Sequence, residues 1–323
     1  MLGFNSSLRD NKTSDVLNIG ATKRYEQPSK GNLMKVVTYN IQYSRGKDGA
    51  YDLERIVEAV READIIALQE VTRNFSRTPD ADQPARIAEL LPDFHWIYGP
   101  PIDLDASERD VDGRVINRRF QFGNMLLARW PILSSRLLSL PGMRSYDKRN
   151  VKNGALEGVV DCPNGPLRVY AIHLNHLNGA ERMAQIDFLL PKLLDVPREG
   201  GAVSGAQHEW PEFRDVPMSE DFVVLGDCNL TPDSPEYTRI VGEPDYIYGS
   251  RIVAQHLVDT WVQAGHPLDE GVTWYDESNN FQSGLRLDYG FVSAGLAEKV
   301  NSAWIDNEAS GSDHQPTWFE ITL

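Results

Sequence analysis

Residues 34–70 constrain the fold more than any other stretch: MKVVTYN (34–40), YDLERIVEAVREA (51–63) and DIIALQE (64–70) read as strand, helix and strand. Leu53, Ile56, Val57 and Val60 recur at the spacing of one helical face, and the flanking runs are short, apolar and β-rich. Such an opening points to an α/β domain. The middle of the chain differs. NMLLAR (124–129), ILSSRLLSL (132–140), ALEGVVDC (155–162) and LRVYAIH (167–173) are predicted strands with no helix-length pattern between them. Trp130-Pro131 and Asn164-Gly165-Pro166 are turn signals, so antiparallel meanders are expected here. Beyond them the pattern predicts a helix over 179–194, a strand over 222–226, a helix over 252–263, and strands near 286–293, 299–305 and 315–322.

Mixed strands with helices at intervals predict two sheets packed face to face with helices outside, in one domain spanning 33–323. Residues 1–32 are polar and aperiodic and are expected to form a flexible leader. Residues 101–121, crowded with Arg109, Arg114, Arg118 and Arg119, and residues 196–220, rich in Pro, Gly and acids, are expected as long loops rimming a site.

Bulk properties narrow the function classes. With 41% hydrophobic and 24% charged residues, the 323-residue chain has the composition of a globular protein. No run approaches eighteen apolar residues, so no transmembrane segment is expected. The N-terminus lacks the apolar run of a secretory signal, which makes a cytoplasmic location the expectation, with secretion left open if a leader was removed. Two cysteines, Cys162 and Cys228, are too few for a zinc cluster or a disulfide framework. The net charge of −15 disfavours an extended polyanion such as duplex nucleic acid, although bound metal can reverse the field locally.

Polar residues gather where the apolar strands end. Strand 34–40 ends in Asn40, and strand 64–70 in Gln69-Glu70; strand 167–173 delivers His173, then Asn175 and His176. Strand 222–226 runs into Asp227-Cys228-Asn229, and Ser312-Asp313-His314 precedes the last strand. Carboxylate and amide oxygens suit a hard cation, Mg²⁺ or alternatively Mn²⁺, and imidazoles can orient or protonate a phosphoryl group. Taken singly, each has a plainer reading: Asn40 as a turn former, Glu70 as a solvated carboxylate, His173 as a core histidine, Asp227 and Asn229 as turn-shaping residues. Five strand ends with the same chemistry are harder to explain that way.

In order along the chain, KVVTYNIQ (35–42), IIALQEV (65–71), IHLNH (172–176), LGDCNLTP (225–232), LRLDYGFVS (285–293) and SDHQP (312–316) resemble the motifs of the endonuclease/exonuclease/phosphatase superfamily. That group contains DNase I-like nucleases, inositol polyphosphate phosphatases and neutral sphingomyelinases. The resemblance implies a four-layer α/β/β/α sandwich, with two mixed, mainly antiparallel sheets and outer helices. It also implies roles: Glu70 as the principal metal ligand with Asn40 and Asp313 beside it, and Asp227 orienting or deprotonating a water that Asn229 helps to hold. His314, paired with Asp288, would contact the scissile phosphate, and His173 would donate to a phosphate oxygen or assist the leaving group. His176, Arg118 and Arg119 are substrate-binding candidates.

The function expected is hydrolysis of a phosphodiester or phosphomonoester by direct attack of water, on a small or lipid-derived substrate. The alternatives are a DNA or RNA nuclease and a catalytically silent binding module on the same fold. Trp210 and Trp274 are expected to pack in core or loop, with packing on a base or sugar as the alternative. Oligomeric state is not readable from the sequence.

Overall fold

Strands that are apolar on both faces must be covered on both faces. In the computed structural model, which describes residues 33–205, 210–213 and 215–323, twelve strands meet this demand by forming two six-stranded sheets packed against each other. The leader expected over 1–32 lies outside the described residues.

The first sheet contains β1 (Leu33–Asn40), β2 (Ile65–Arg73), β3 (His95–Asp105), β4 (Arg119–Ala128), β11 (Val300–Ile305) and β12 (Thr317–Thr322). Its order is β11-β12-β1-β2-β4-β3. The second contains β5 (Ile132–Ser139), β6 (Gly154–Cys162), β7 (Gly165–His173), β8 (Phe222–Asp227), β9 (Val258–Asp259) and β10 (Asp288–Val292), ordered β9-β10-β8-β7-β6-β5. Only β1/β2 and β7/β8 pair in parallel; every other sheet neighbour is antiparallel.

Period-two alternation divides each strand between two cores. Val36, Ile65, Ala67, Leu126, Val169, Ala171, Val223 and Leu225 fill the space between the sheets. Their neighbours Val37, Ile66, Leu68 and Leu127 face outward onto α1 (Leu53–Val60) and α2 (Gln83–Leu90). On the other side Tyr170, Ile172 and Val224 pack on α3 (Gly179–Glu199) and α4 (Pro235–Val241). The layers are thus helix, sheet, sheet, helix. Each fully buried Val, Leu or Ile contributes about 1.5–3 kcal/mol, so the three cores together outweigh any single polar contact.

The helices start where side chains can cap them. Asp52 accepts from the Arg55 N–H, Asn178 from Ala180 and Ser234 from Tyr237.

Several sequence expectations need correction. Strands 119–128 and 132–139 do not pair; Trp130-Pro131 carries the chain from one sheet to the other, whereas the Asn164-Gly165 turn closes a true hairpin. The helix expected over 252–263 is reduced to α5 (Thr260–Gln263), because Val258–Asp259 pairs with β10 and Asp259 caps the helix through the Trp261 N–H. Residues 101–121 are not an open loop: β3 continues to Asp105, and 108–109 pairs with 115–116 as a short ribbon before β4 begins. The helix expected to stop at 194 runs to Glu199, into the second expected loop. Helices α2 and α4 and strand β3 were not foreseen.

Candidate active site

Register brings three of the expected residues into one row. Asp227 at the end of β8 lies opposite His173 of β7 on one side and Asp288 of β10 on the other. Counting back in twos, His173 shares a strand face with Ala171 and Val169, Asp227 with Leu225 and Val223, and Asp288 with Val292. All three side chains therefore sit on the face turned toward the other sheet. Asn40 at the end of β1 does the same from the opposite side, continuing the face of Val36. The site occupies one edge of the sandwich, between its sheets.

Glu70 needs a special device. By alternation it would follow Ile66 and Leu68 outward onto the helices. The β2/β4 register shifts between Leu68 and Val71, and Glu70 takes a left-handed backbone conformation with φ 61°. This bulge re-aims the carboxylate, which accepts a hydrogen bond from Asn40 Nδ2 at 3.3 Å. Gln42, Tyr43, Ser44 and Asn229 also have positive φ, so unfavourable backbone geometry concentrates around this edge. Gly226 is required for a different reason: a Cβ there would lie 1.9 Å from the Ile172 carbonyl oxygen.

Asp227 is the centre of the contacts. Its Oδ2 accepts from Asn40 Nδ2 at 2.9 Å, a bond joining the two sheets, and its Oδ1 accepts from the Asn229 N–H at 2.9 Å. His173 Nε2 and His314 Nε2 stand 3.6 and 3.7 Å from the same Oδ2, just beyond hydrogen-bond contact. His314 Nδ1 lies 2.8 Å from Asp288 Oδ2, which leaves Nε2 aimed into the site. The Thr273 hydroxyl accepts the N–H groups of Leu287 and Asp288, fixing the start of β10. Asp313 Oδ2 accepts from Gln42 Nε2 and Trp274 Nε1, each at 3.1 Å.

Burial and neighbouring charge set the protonation states. Burial raises Glu70 to about 7, with Asp313 and Asp227 adding to the rise against the pull of His314 and the Asn40 hydrogen bond. Burial also raises Asp227 above the usual carboxylate range, opposed by His314 and reinforced by Asp288. For His314, burial favours the neutral ring, but Asp288, Asp227 and Asp313 outweigh it and raise the group to about 10. His173 goes the other way: burial, aided by repulsion from His314 and His176, lowers it to about 3. Burial thus favours a neutral His173, while the neighbouring carboxylates favour a charged His314.

The donor set fits a divalent cation. Asp227, Asp288 and His314 each offer a ligand atom within 4.8 Å of the others, and the buried Asp288 Oδ1 has no hydrogen-bond partner. His314 already faces Asp288 through Nδ1, however, which makes this trio a histidine–carboxylate arrangement rather than a cage. Glu70 and Asp313 are half-buried carboxylates that have no imidazole in hydrogen-bond contact, and the rise of Glu70, caused by burial and by the nearby Asp313 and Asp227 charges, suits a counter-cation. Asn40 departs from expectation in one respect. Its Nδ2 faces Glu70 and Asp227 while Oδ1 accepts from the Gln42 N–H, so it presents donors rather than an oxygen to the acids. As a ligand its amide would have to turn over.

Other expected residues lie apart from this constellation. Asn229 donates Nδ2 to the Leu174 carbonyl and is turned partly away. His176 is exposed, at the start of the turn into α3. Arg118 pairs with Glu108 of the ribbon and Arg119 with Asp103 across the β3/β4 ladder, and neither bonds to a residue of the cluster. Sequence reasoning missed Gln42, Thr273 and the polar use of Trp274. Gln42 lies inside the opening motif, two residues beyond Asn40; Thr273 and Trp274 carry no local signal. Trp274 is half-buried as expected of packing, yet its indole N–H binds Asp313. Trp210 lies against Phe213 with the two rings tilted at 52°.

The sequence profile of the Endonuclease/Exonuclease/phosphatase family matches residues 37–314. No curated protein matches the sequence. Among solved structures, an endonuclease/exonuclease/phosphatase from Beutenbergia cavernae is 22% identical, with a TM-score of 0.58, covering 90% of this chain and 72% of that one. A mannosyl-6-phosphatase from Bacteroides thetaiotaomicron is 18% identical with a TM-score of 0.58, covering 90% and 100%. The human Nocturnin catalytic domain is 20% identical with a TM-score of 0.55, covering 90% and 93%. At these identities the likeness is one of fold. No helix among the described residues is long and apolar enough to cross a membrane. The family match spans most of the chain and includes every strand that delivers a residue to the cluster, and the chain belongs to the endonuclease/exonuclease/phosphatase family, whose members are hydrolases acting on phosphoesters.

Proposed function

We propose that the chain hydrolyses a small or lipid-derived phosphodiester or phosphomonoester by direct attack of water, with Mg²⁺ or Mn²⁺ bound. The observation carrying this reading is the arrangement around Asp227: one buried carboxylate steadied by an amide and flanked by two imidazoles whose surroundings push them in opposite directions. A raised carboxylate can take a proton from water, which is the role assigned to Asp227, with the Asn229 N–H fixing its other oxygen. The His314 imidazolium, held in orientation by Asp288, places positive charge where the phosphoryl oxygens gain negative charge. Neutral His173 donates an N–H to a phosphoryl oxygen or to the departing ester oxygen.

Glu70 and Asp313 hold the cation, and Asn40 orients Glu70 and Asp227 together. When bound, the cation supplies Lewis-acid stabilisation of a phosphoryl oxygen. The bond formed joins the water oxygen to phosphorus, and the bond broken is phosphorus to ester oxygen; no enzyme-bound intermediate is required. The net charge of −15 supports a compact substrate over a long polyanion.

The test is turnover by the purified protein of bis-p-nitrophenyl phosphate, p-nitrophenyl phosphate, a phospholipid panel and plasmid DNA, with Mg²⁺, Mn²⁺ or EDTA. Hydrolysis of a small ester or lipid that EDTA abolishes supports the reading. Turnover that survives EDTA, or none on any phosphoester, overturns it; cleavage of DNA alone replaces it with a nuclease.

A further inference from the structure

We propose that residues 141–153, the connection from β5 to β6, form a subsite for a second phosphate carried by the substrate, an inference that rests on the phosphoesterase reading above. In a chain of net charge −15, this segment holds Arg144, Lys148, Arg149 and Lys152 against one acid, Asp147. All four cations are exposed and none forms an ion pair; Arg144 lies 4.9 Å over the ring of Tyr146, and Asp147 interacts electrostatically with its neighbour Lys148. Elsewhere on the described surface arginines are commonly committed to acids, as Arg118 is to Glu108 and Arg119 to Asp103. Among the described residues, this segment joins a positive charge balance to four exposed cations that are in no ion pair.

The segment is fastened beside the cluster. Gly154, the residue that follows it, pairs with His173 across the β6/β7 ladder. Neighbouring strands lie about 4.8 Å apart, which places the base of the segment within roughly 10 Å of the His173 backbone. A buried polar network fixes it there. Asn150 donates to Glu181 at 2.8 Å and to the Met143 carbonyl at 2.8 Å, and accepts from Asn175 Nδ2 at 2.6 Å. Gln185 accepts from the Asn175 N–H and donates to Asn153 and to the Pro141 carbonyl. Asn175 is two residues beyond His173, so one network anchors both the histidine strand and the basic segment. Glu181, the buried carboxylate nearest these cations, accepts from Asn150 and Asn175, and its hydrogen bonds go to amides rather than to the cations. His176 and Arg182 are the other titratable groups on this side; Arg182 is committed to Glu236.

Exposed guanidinium and ammonium groups on an anchored segment suit a fully hydrated, doubly charged phosphate, which Arg144 or Arg149 can take in a two-pronged grip. The substrate class is then a small molecule bearing two phosphates, one held at the cluster and one reaching the cations of the segment.

Hexane-1,6-diol bisphosphate and hexyl monophosphate, used as inhibitors of bis-p-nitrophenyl phosphate hydrolysis by the full chain in Mg²⁺, test this directly. The bisphosphate should have a Ki about tenfold lower, and Arg144→Glu/Arg149→Glu should erase that preference while Arg61→Glu/Arg198→Glu, at remote positions, keeps it. Equal inhibition by both compounds in the unmodified chain overturns the subsite. So does a double variant that weakens both compounds alike, since that reports a general field or a damaged fold. Stronger protection by a single-stranded oligonucleotide, abolished by the same reversal, overturns the assignment to a small molecule. If the chain turns over no phosphoester, the reading of the cluster fails by itself. Calorimetric binding of the bisphosphate, reduced or not by the charge reversal, then decides the subsite independently.

Discussion

The two sheets contribute unlike halves to one edge. The second sheet supplies His173, Asp227 and Asp288, and with His314 these form a set in which each negative group has an imidazole within 4 Å. The first sheet supplies Asn40 and the bulged Glu70, with Asp313 just before β12, and these acids have only neutral amide, indole and hydroxyl donors in hydrogen-bond contact. One half carries its own counter-charge; the other must obtain it. On the function proposed above, the second sheet would carry the chemistry and the first would hold the cation.

The largest effects are expected in the self-paired half. Asp227→Asn and His314→Ala should each lower kcat by about a thousandfold, with circular dichroism unchanged, because each removes a group placed against the reacting phosphate. A near-normal rate in either variant removes that residue from the chemistry. Glu70→Gln should act differently, moving the Mg²⁺ titration midpoint upward by about tenfold or more and recovering part of the rate at high metal. If Glu70→Gln and His314→Ala shift the titration equally, the two halves are not distinct.

A third experiment reads the charge imbalance without turnover. Glu70 is raised to about 7 in the folded chain, so the folded state holds its proton more tightly than the unfolded state does. That stability is present below about pH 4 and is lost as pH rises toward 7. In EDTA, Tm of the native chain relative to Glu70→Gln should therefore fall between pH 5 and 8, and Mg²⁺ should restore it at pH 8. A constant difference across this range would show that Glu70 ionises without penalty. The smallest effect belongs to Arg118→Ala and Arg119→Ala, whose charges are engaged by neighbouring acids; kcat/KM should stay within about twofold. A loss of an order of magnitude would bring the ribbon back to the substrate.

Much of this arrangement was legible because apolar runs ended in polar residues, and strand ends of adjacent strands meet. Asn40, His173 and Asp227 each sit at the end of a strand of regular alternation, so their common orientation follows from counting in twos. Glu70 could be named but not aimed, since the bulge that turns it inward depends on its pairing with β4, more than fifty residues later in the chain. Trp274 and Thr273 were invisible for a similar reason: their partners Asp313, Leu287 and Asp288 are distant contacts without a spacing rule. The expected helix over 252–263 failed at Asp259, which serves as a cap where periodicity alone reads an interior position. Charge was read only by counting. The arginines of 101–121 attracted notice as a cluster, yet Glu108 and Asp103 engage two of them, and the less conspicuous segment 141–153 keeps its charge.

The Asn40–Asp227 hydrogen bond spans 187 residues of sequence and the seam between the sheets. Nothing local can assemble it: Asn40 and Asp227 meet only after both halves of the chain have folded and docked. Contacts of such long range form late, because their loop-closure cost comes before any reward. Recovered hydrolysis during refolding would therefore time the joining of the sheets, lagging behind the return of secondary structure. A ligand bound across the same seam would act as a rivet, slowing separation of the layers before it altered either one.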